Sequence, residues 1–351
     1  MKSGRRLVSG RLPELDLLRF VAAFSVLLFH HIRWAKSLDG TVLFQISRFG
    51  FFGVPLFFMI SGFVILWSAQ GKDLLEFAVS RITRLYPTFW ICVCLAAIAE
   101  LCLGNHVSSL RFLANLTMMP TSFGAAKMDA VYWTLLYELK FYVFVALLIS
   151  AKQLPNIDRW LAGWLIATAL TLISPKWVTS ITLAPWSAFF IGGCNLFLIW
   201  SRGWNGWRAA GLAGAFVLSV IAGMNSQESA GQVPSDAMQA LAIVVIFAVM
   251  ATLALRWWRL PHTSLWLTLG SLTFPLYLVH SRPAKALWTA IDLPDAPRLL
   301  IVSGASLAVA AVLAYSIERR TCGRLNRALL KLLRPTTAEQ TTTAPQTAKR
   351  A

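Results

Sequence analysis

LPELDLLRFVAAFSVLLFHHI, residues 12–32, is an apolar run whose ionisable members are Glu14, Asp16, Arg19, His30 and His31. At a helical rise of about 1.5 Å per residue it spans about 30 Å, the thickness of a bilayer's hydrocarbon layer. It therefore reads as a membrane-crossing helix, and it decides the fold. A helix turning about 100° per residue brings Arg19 and His30 to nearly the same face, about 16 Å apart along the axis. An arginine at this depth costs roughly 2.5–3.5 kcal/mol on insertion scales and is kept where it performs a function. Asp16, three residues before Arg19, is expected to pair with it on the helix surface.

The rest of the chain agrees with that first run. Of its 351 residues 57% are hydrophobic and 13% charged, with a mean hydropathy of +0.63, beyond the composition of a soluble domain. Ten stretches are long enough to span: roughly 12–32, 49–69, 87–104, 131–150, 159–174, 181–200, 208–224, 237–255, 264–281 and 299–317. The expected fold is an all-α polytopic membrane protein of about ten transmembrane helices, with both termini on one side. Counting Lys and Arg with the N-terminus inside gives 21 on that side and 9 on the other. The net charge of +17 thus reports orientation, with both termini cytoplasmic, rather than a nucleic-acid partner. No basic–aromatic nucleic-acid module is visible.

MKSGRR before the first run resembles a signal peptide's start, but Asp16 and Arg19 and the run's length argue for an uncleaved helix. The five cysteines form neither a metal spacing nor a disulfide framework, and no metal is expected. RLNRALLKLLR has apolar residues at helical spacing among arginines, as in a helix lying on the inner membrane surface, and TTAEQTTTAPQTAKRA has the bias of a disordered tail. One membrane domain is expected over 1–320, followed by a basic and then disordered cytoplasmic tail over 321–351.

Four further stretches carry chemistry. In FGFFGVPLFFMISGFVI (residues 49–65) glycines, Pro55 and the Ser61-Gly62 pair interrupt an aromatic run, which predicts close helix approach or a distorted helix beside a cavity. FAVSRITRLYPTFW places Arg81 and Arg84 just before the third span, with Tyr86 beside them and Pro87 near its first turn. Two guanidinium groups on one face suit phosphate, and ordinary positive-inside anchoring explains them almost as well. VYWTLLYELKFYVFVALLI holds Glu138 and Lys140 about 200° apart around a helix, so each needs a partner elsewhere; Glu138 lies one and a half turns from Trp133. His280 ends LGSLTFPLYLVH as an interfacial residue, and Glu318 stands in YSIERR, by itself a member of a solvated cluster with Arg319 and Arg320.

In order, LDLLRFVAAFSVLLFHH, FGFFGVPLFFMISGFVI, FAVSRITRLYP, WTLLYELKFY and SLTFPLYLVH with the late Glu318 resemble the acyltransferase 3 family of bacterial membrane O-acyltransferases of surface polysaccharides. At Pro55 the chain departs from the pattern, where many members carry Asp after Gly-Val, so no ionic role falls to that position. The resemblance implies a multi-pass protein of the bacterial inner membrane, among lipids, moving an acyl group, acetyl by default, from cytoplasmic acyl-CoA to a hydroxyl of a glycan or glycolipid. Acyl-CoA is then a substrate, and no resident cofactor is expected. His30 becomes the general base on the acceptor hydroxyl or the group that handles the proton at the transfer step, Arg19 the group that orients the donor or meets developing charge, and Glu138 a catalytic supporting carboxylate. Arg81, Arg84, Tyr86, Trp133, His280 and Glu318 become substrate-binding. The competing reading is a glycolipid or sugar transporter, since intramembrane Arg, His and Glu also build substrate pathways. A scaffold for glycan assembly is the weaker one.

Overall fold

The computed structural model describes residues 11–173, 176–224 and 234–334. Its helices are α1 (Pro13–Trp34), α2 (Val42–Ser47), α3 (Gly53–Ala69), α4 (Leu74–Cys102), α5 (Ser109–Leu116), α6 (Trp133–Ser150), α7 (Ile157–Leu170), α8 (Lys176–Thr182), α9 (Ser187–Arg202), α10 (Gly206–Met224), α11 (Asp236–Ala254), α12 (Ser264–Val279), α13 (Arg282–Ala290), α14 (Asp295–Leu313) and α15 (Cys322–Leu333). A π-helical turn, Ala314–Glu318, follows α14. There is no strand among the described residues, and the protein is an all-α polytopic membrane protein.

Each of the ten expected stretches coincides with a helix, but the helices are not equal in reach. Among the described residues seven are long and apolar enough to cross a membrane: α1, α3 with the turns before it, α4, α6, α10, α11 and α14. α7, α9 and α12 have 14, 16 and 16 residues. At about 1.5 Å per residue that is roughly 21–24 Å, short of the hydrocarbon thickness. The tail expected to be disordered lies, from residue 335 onward, outside the described residues.

The third stretch is corrected. Its helix starts not near Pro87 but at Leu74, thirteen residues earlier, where Asp73 accepts from the Glu76 backbone N–H and Glu76 accepts from that of Asp73. That capping box nucleates the helix independently of Pro87. Pro87 then removes one intrahelical bond, to the carbonyl of Thr83, and the helix runs on through it. Arg81 and Arg84 therefore stand on the helix wall rather than ahead of it.

Small residues set the closest approaches. α3 and α9 meet where a Cβ at Gly62 would collide with the Phe190 carbonyl, and one at Gly193 with the Met59 carbonyl. Gly50 and Gly53 likewise meet the α1 backbone at Ser25 and Ala22. This is the small-residue packing that membrane helices use in place of a hydrophobic driving force. α9 is buried from Ser187 to Ile199 and forms the centre, with Phe63, Phe190 and Phe197 among the fully buried side chains. Gly270 on α12 leaves room for the side chain of Asp16 on α1.

These contacts predict that Gly193→Leu lowers the melting temperature of the purified protein in detergent, at an overpacking cost of about 1–3 kcal/mol. Gly163→Leu, at a position where a Cβ meets nothing within 4 Å, serves as the control and leaves it unchanged.

Candidate functional site

Four long or apolar helices, α1, α4, α6 and α12, together with α3 surround a cavity of about 820 Å³. Its three cations come from two helices: Arg19 from α1, and Arg81 and Arg84 from α4. Among the described residues lining it, Glu138 on α6 is the one carboxylate. A second cavity of about 1070 Å³ shares Arg81, Arg84 and Gly270 with the first and continues outward past Arg11, Glu318, Arg319 and Asn326. The path thus opens at the Arg81 end of the bundle, where α15 forms part of its wall.

Glu138 is held by its neighbours. The Tyr142 hydroxyl, one turn further along α6, donates to Glu138 Oε1 at 2.6 Å, and the Ser61 hydroxyl donates to the same oxygen at 3.4 Å. Tyr142 also presents its ring to the Arg81 guanidinium at 5.8 Å, with Phe77 at 5.7 Å. Cation–π contact and the Glu138 hydrogen bond fix two charged groups through one tyrosine. Three guanidinium groups against one carboxylate leave an excess of positive charge in a low-dielectric enclosure, where charges interact several times more strongly than in water. Such a site favours an anionic guest.

The expected Asp16–Arg19 pair is corrected. Asp16 takes Arg11 instead, through a two-point contact of Nε with Oδ2 and of Nη2 with Oδ1 at 3.0 Å. Arg11 lies before the helix and can swing onto the carboxylate, whereas Arg19 points into the cavity. The solvated Glu318–Arg319–Arg320 cluster is corrected as well. Arg319 donates to Thr268 and Arg320 to Tyr315, while Glu318 Oε1 is buried with no hydrogen-bond partner among the described residues and lines the second cavity.

At the opposite, His280 end, α1, α12 and α14 converge. His280, read from sequence as interfacial, is fully buried. Its Nδ1 meets the Tyr277 carbonyl at 2.7 Å, and its own carbonyl receives His31 Nε2 at 2.8 Å. His31 Nδ1 in turn meets the Ser303 hydroxyl at 2.9 Å. The His30 ring lies 5.2 Å from that of His280 and 5.1 Å from that of Phe29. His30 does not line the first cavity. Tyr277 does, and its ring is 5.4 Å from His280, so one aromatic layer stands between the cavity and the histidines. Tyr277 is pinned there: its hydroxyl donates to the Val131 carbonyl at 3.2 Å and accepts from Thr134 at 2.9 Å.

Two sequence-selected residues stand elsewhere. Trp133 packs in an aromatic group with Tyr137 at 5.5 Å and Trp186 at 5.3 Å, outside the cavity lining. Tyr86 donates to the Thr117 carbonyl at 3.3 Å and meets Trp90 edge-on at 5.6 Å. Sequence reasoning missed Tyr142, Tyr277 and a buried ionic knot at the His280 end. In that knot Glu100 accepts from Arg111 at 2.9 Å and Asn105 at 2.6 Å and pairs with Arg282 at 3.1 Å. Asp129 accepts from the Arg282 backbone N–H at 2.6 Å. For Tyr142 the signal was present, four residues after Glu138 on the same helix face.

Breaking the knot leaves two guanidinium groups beside an apolar core. Glu100→Ala is expected to destabilise the purified protein by roughly 1.5–3 kcal/mol, read as a fall in melting temperature, the guanidinium groups of Arg111 and Arg282 keeping 20% and 37% exposure. Arg334→Ala, removing the exposed partner of Asp73 and Glu76 while leaving their capping box intact, is expected to leave it within a degree or two.

The model of the acyltransferase domain family matches residues 12–316. The chain is 28% identical over 228 residues to nodulation protein 10 of Rhizobium leguminosarum bv. viciae, covering 55% of this chain and 62% of the relative. It is 24% identical to the peptidoglycan O-acetyltransferase OatA of Listeria monocytogenes, over 57% of this chain and 36% of OatA. With the exopolysaccharide production protein ExoZ of Rhizobium meliloti it shares 26% identity over 299 residues, 79% of this chain and 90% of ExoZ. The chain thus matches between about half and two thirds of the length of the first of its curated relatives. No solved structure matches it.

Proposed function

Since the chain belongs to the acyltransferase domain family, we propose that it is an integral-membrane O-acyltransferase moving an acyl group, acetyl by default, from acyl-CoA to a hydroxyl of a cell-surface or exported glycan. The observation that carries this reading is the cavity with Arg19, Arg81 and Arg84 facing the single carboxylate Glu138. Coenzyme A is polyanionic, and guanidinium groups offer paired donors to its phosphate oxygens. Phe57, Phe58, Phe274 and Leu135 supply an apolar lining for a thioester arm. Relatives named for O-acetylation of peptidoglycan and for exopolysaccharide production support a glycan hydroxyl as acceptor.

The donor enters from the cytoplasm, where coenzyme A is found, so the Arg81 end is the cytoplasmic end of an inner-membrane protein with both termini inside. The Lys and Arg distribution, 21 against 9, favours the same orientation. Residues 1–320 make the catalytic membrane domain, and 321–351 the basic cytoplasmic tail.

In the reaction His30 takes the proton from the acceptor hydroxyl as its oxygen attacks the thioester carbonyl. The carbon–sulfur bond then breaks, and the proton passes to the departing thiolate, giving the ester and free coenzyme A. Arg19 and His30 sit about 16 Å apart along α1, too far for both to meet one carbonyl group. Of its two roles Arg19 therefore takes donor orientation, gripping phosphate while the extended pantetheine arm reaches past Tyr277 towards His30. Glu138, held by Tyr142 and Ser61, keeps the three arginines from repelling one another out of position.

Binding of acetyl-CoA to the detergent-purified protein, compared with free and desulfo coenzyme A, tests this reading. The Arg81→Ala/Arg84→Ala variant is expected to bind roughly 100-fold more weakly or worse, two charge-assisted contacts being lost. His30→Ala is expected to bind normally and to lose about 10²–10⁴ in turnover. A folded wild-type protein with no affinity for any acyl-CoA overturns the proposal in favour of glycolipid transport.

A further inference from the structure

We propose that His280 is a positioning residue for His30: its bare Nε2 takes the ring N–H of His30 and thereby leaves the other His30 nitrogen free to receive a proton. The inference rests on the reading of His30 as the base. It starts from proton bookkeeping at the His280 end. A backbone carbonyl only accepts, so the 2.7 Å contact between His280 Nδ1 and the Tyr277 carbonyl requires the proton on Nδ1. In the neutral ring Nε2 then carries a lone pair. That atom is fully buried and has no hydrogen-bond partner among the described residues. An acceptor left bare at such a place costs stability, and native structures keep one where it has a use.

His31 cannot serve that atom. Its Nε2 donates to the His280 carbonyl, and its Nδ1 accepts from Ser303, so both nitrogens are committed. The remaining imidazole is His30, whose ring centroid lies 5.2 Å from that of His280 at an angle of 47°. Nitrogens of two imidazoles at this separation come within hydrogen-bond distance when they face each other, and the proposal turns a His30 nitrogen towards His280 Nε2. A general base works when its second nitrogen is oriented and protonated by a fixed partner, the arrangement found wherever a histidine base is held in one tautomer. His280 is itself fixed by three anchors: the Tyr277 carbonyl, His31, and, two residues on, the Arg282 backbone N–H bound to Asp129.

Two isosteric substitutions separate this role from packing. The Asn amide nitrogen occupies the place of Nδ1 and preserves the Tyr277 contact, but offers nothing at Nε2. The Gln amide oxygen occupies the place of Nε2 and preserves the acceptor. In membrane vesicles that bring their own acceptor, transfer of labelled acetyl from acetyl-CoA is expected to fall about tenfold or more in kcat for His280→Asn, with the KM for acetyl-CoA unchanged. His280→Gln is expected to recover most of that loss. Equal activity of His280→Asn and wild type, or equal loss in both variants with normal melting temperatures, overturns the proposal.

A second readout does not depend on activity. In protein labelled with nitrogen-15 histidine, His30 is expected to show one tautomer in wild type and His280→Gln, and averaged ring-nitrogen shifts in His280→Asn. An averaged His30 in wild type, or one unmoved in His280→Asn, overturns the proposal. If wild type transfers no acetyl, or His30→Ala transfers it normally, the reading of His30 as base has failed. The tautomer measurement then judges the His30–His280 bond by itself.

Discussion

Three guanidinium groups held inside a helical membrane bundle with one facing carboxylate make the constraint on which the remaining architecture depends. Arg19, Arg81 and Arg84 come from α1 and α4, and Glu138 from α6, so no single helix can satisfy its own charge. The helices must converge, and they must leave polar space between them. Close packing elsewhere makes that possible: α3 and α9 are drawn together at Gly62 and Gly193, and α3 meets α1 at Gly50 and Gly53. α12 approaches α1 at Gly270, a residue that borders both cavities. The same glycine that admits Asp16 therefore shapes the passage between them.

The bundle is polar at both ends in different ways. At the Arg81 end, cations face a wide opening walled partly by α15 and Glu318. At the His280 end, the charged groups are neutralised against one another by Glu100, Arg111, Arg282 and Asp129, and the histidines are bound to backbone carbonyls and hydroxyls. Tyr277 belongs to both, lining the cavity with its ring beside His280 and its hydroxyl tied to the start of α6. A guest that enters among the arginines meets this tyrosine before it meets His30.

Hydropathy located the helices well, because an apolar run of sufficient length in a membrane has few alternatives to a helix. It was less able to count crossings, since α7, α9 and α12 are apolar along their length yet shorter than the hydrocarbon layer. Pro87 misled by looking like a first-turn residue, when the capping box of Asp73 and Glu76 starts the helix upstream. Asp16 misled because a partner at helical spacing was in view, while the one it uses lies in the segment before the helix. Residues drawn together from distant segments, such as Glu138 with Ser61 or Asp129 with Arg282, left no one-dimensional signal. The depth of His280 was equally invisible, because the residue closes its helix in sequence and yet is fully covered in space by α1 and its neighbours.

The separation between Arg19 and His30 gives the proposed chemistry its direction. Residues eleven apart on one helix share a face but stand about 16 Å apart, and a rigid α-helix does not shorten. Two groups so placed cannot act on one carbonyl, but they can hold the two ends of one long substrate. The arginine end offers charge and volume, as the head of an anionic donor requires, and the histidine end offers a neutral, closely packed site suited to proton transfer. On the proposed reading the helix acts as a ruler, setting the distance between where a donor is gripped and where it reacts. Donors lacking the intervening arm would fill the arginine end and leave the histidine end without a reactive carbonyl. On that account length, as much as charge, determines which anionic molecules the site turns over.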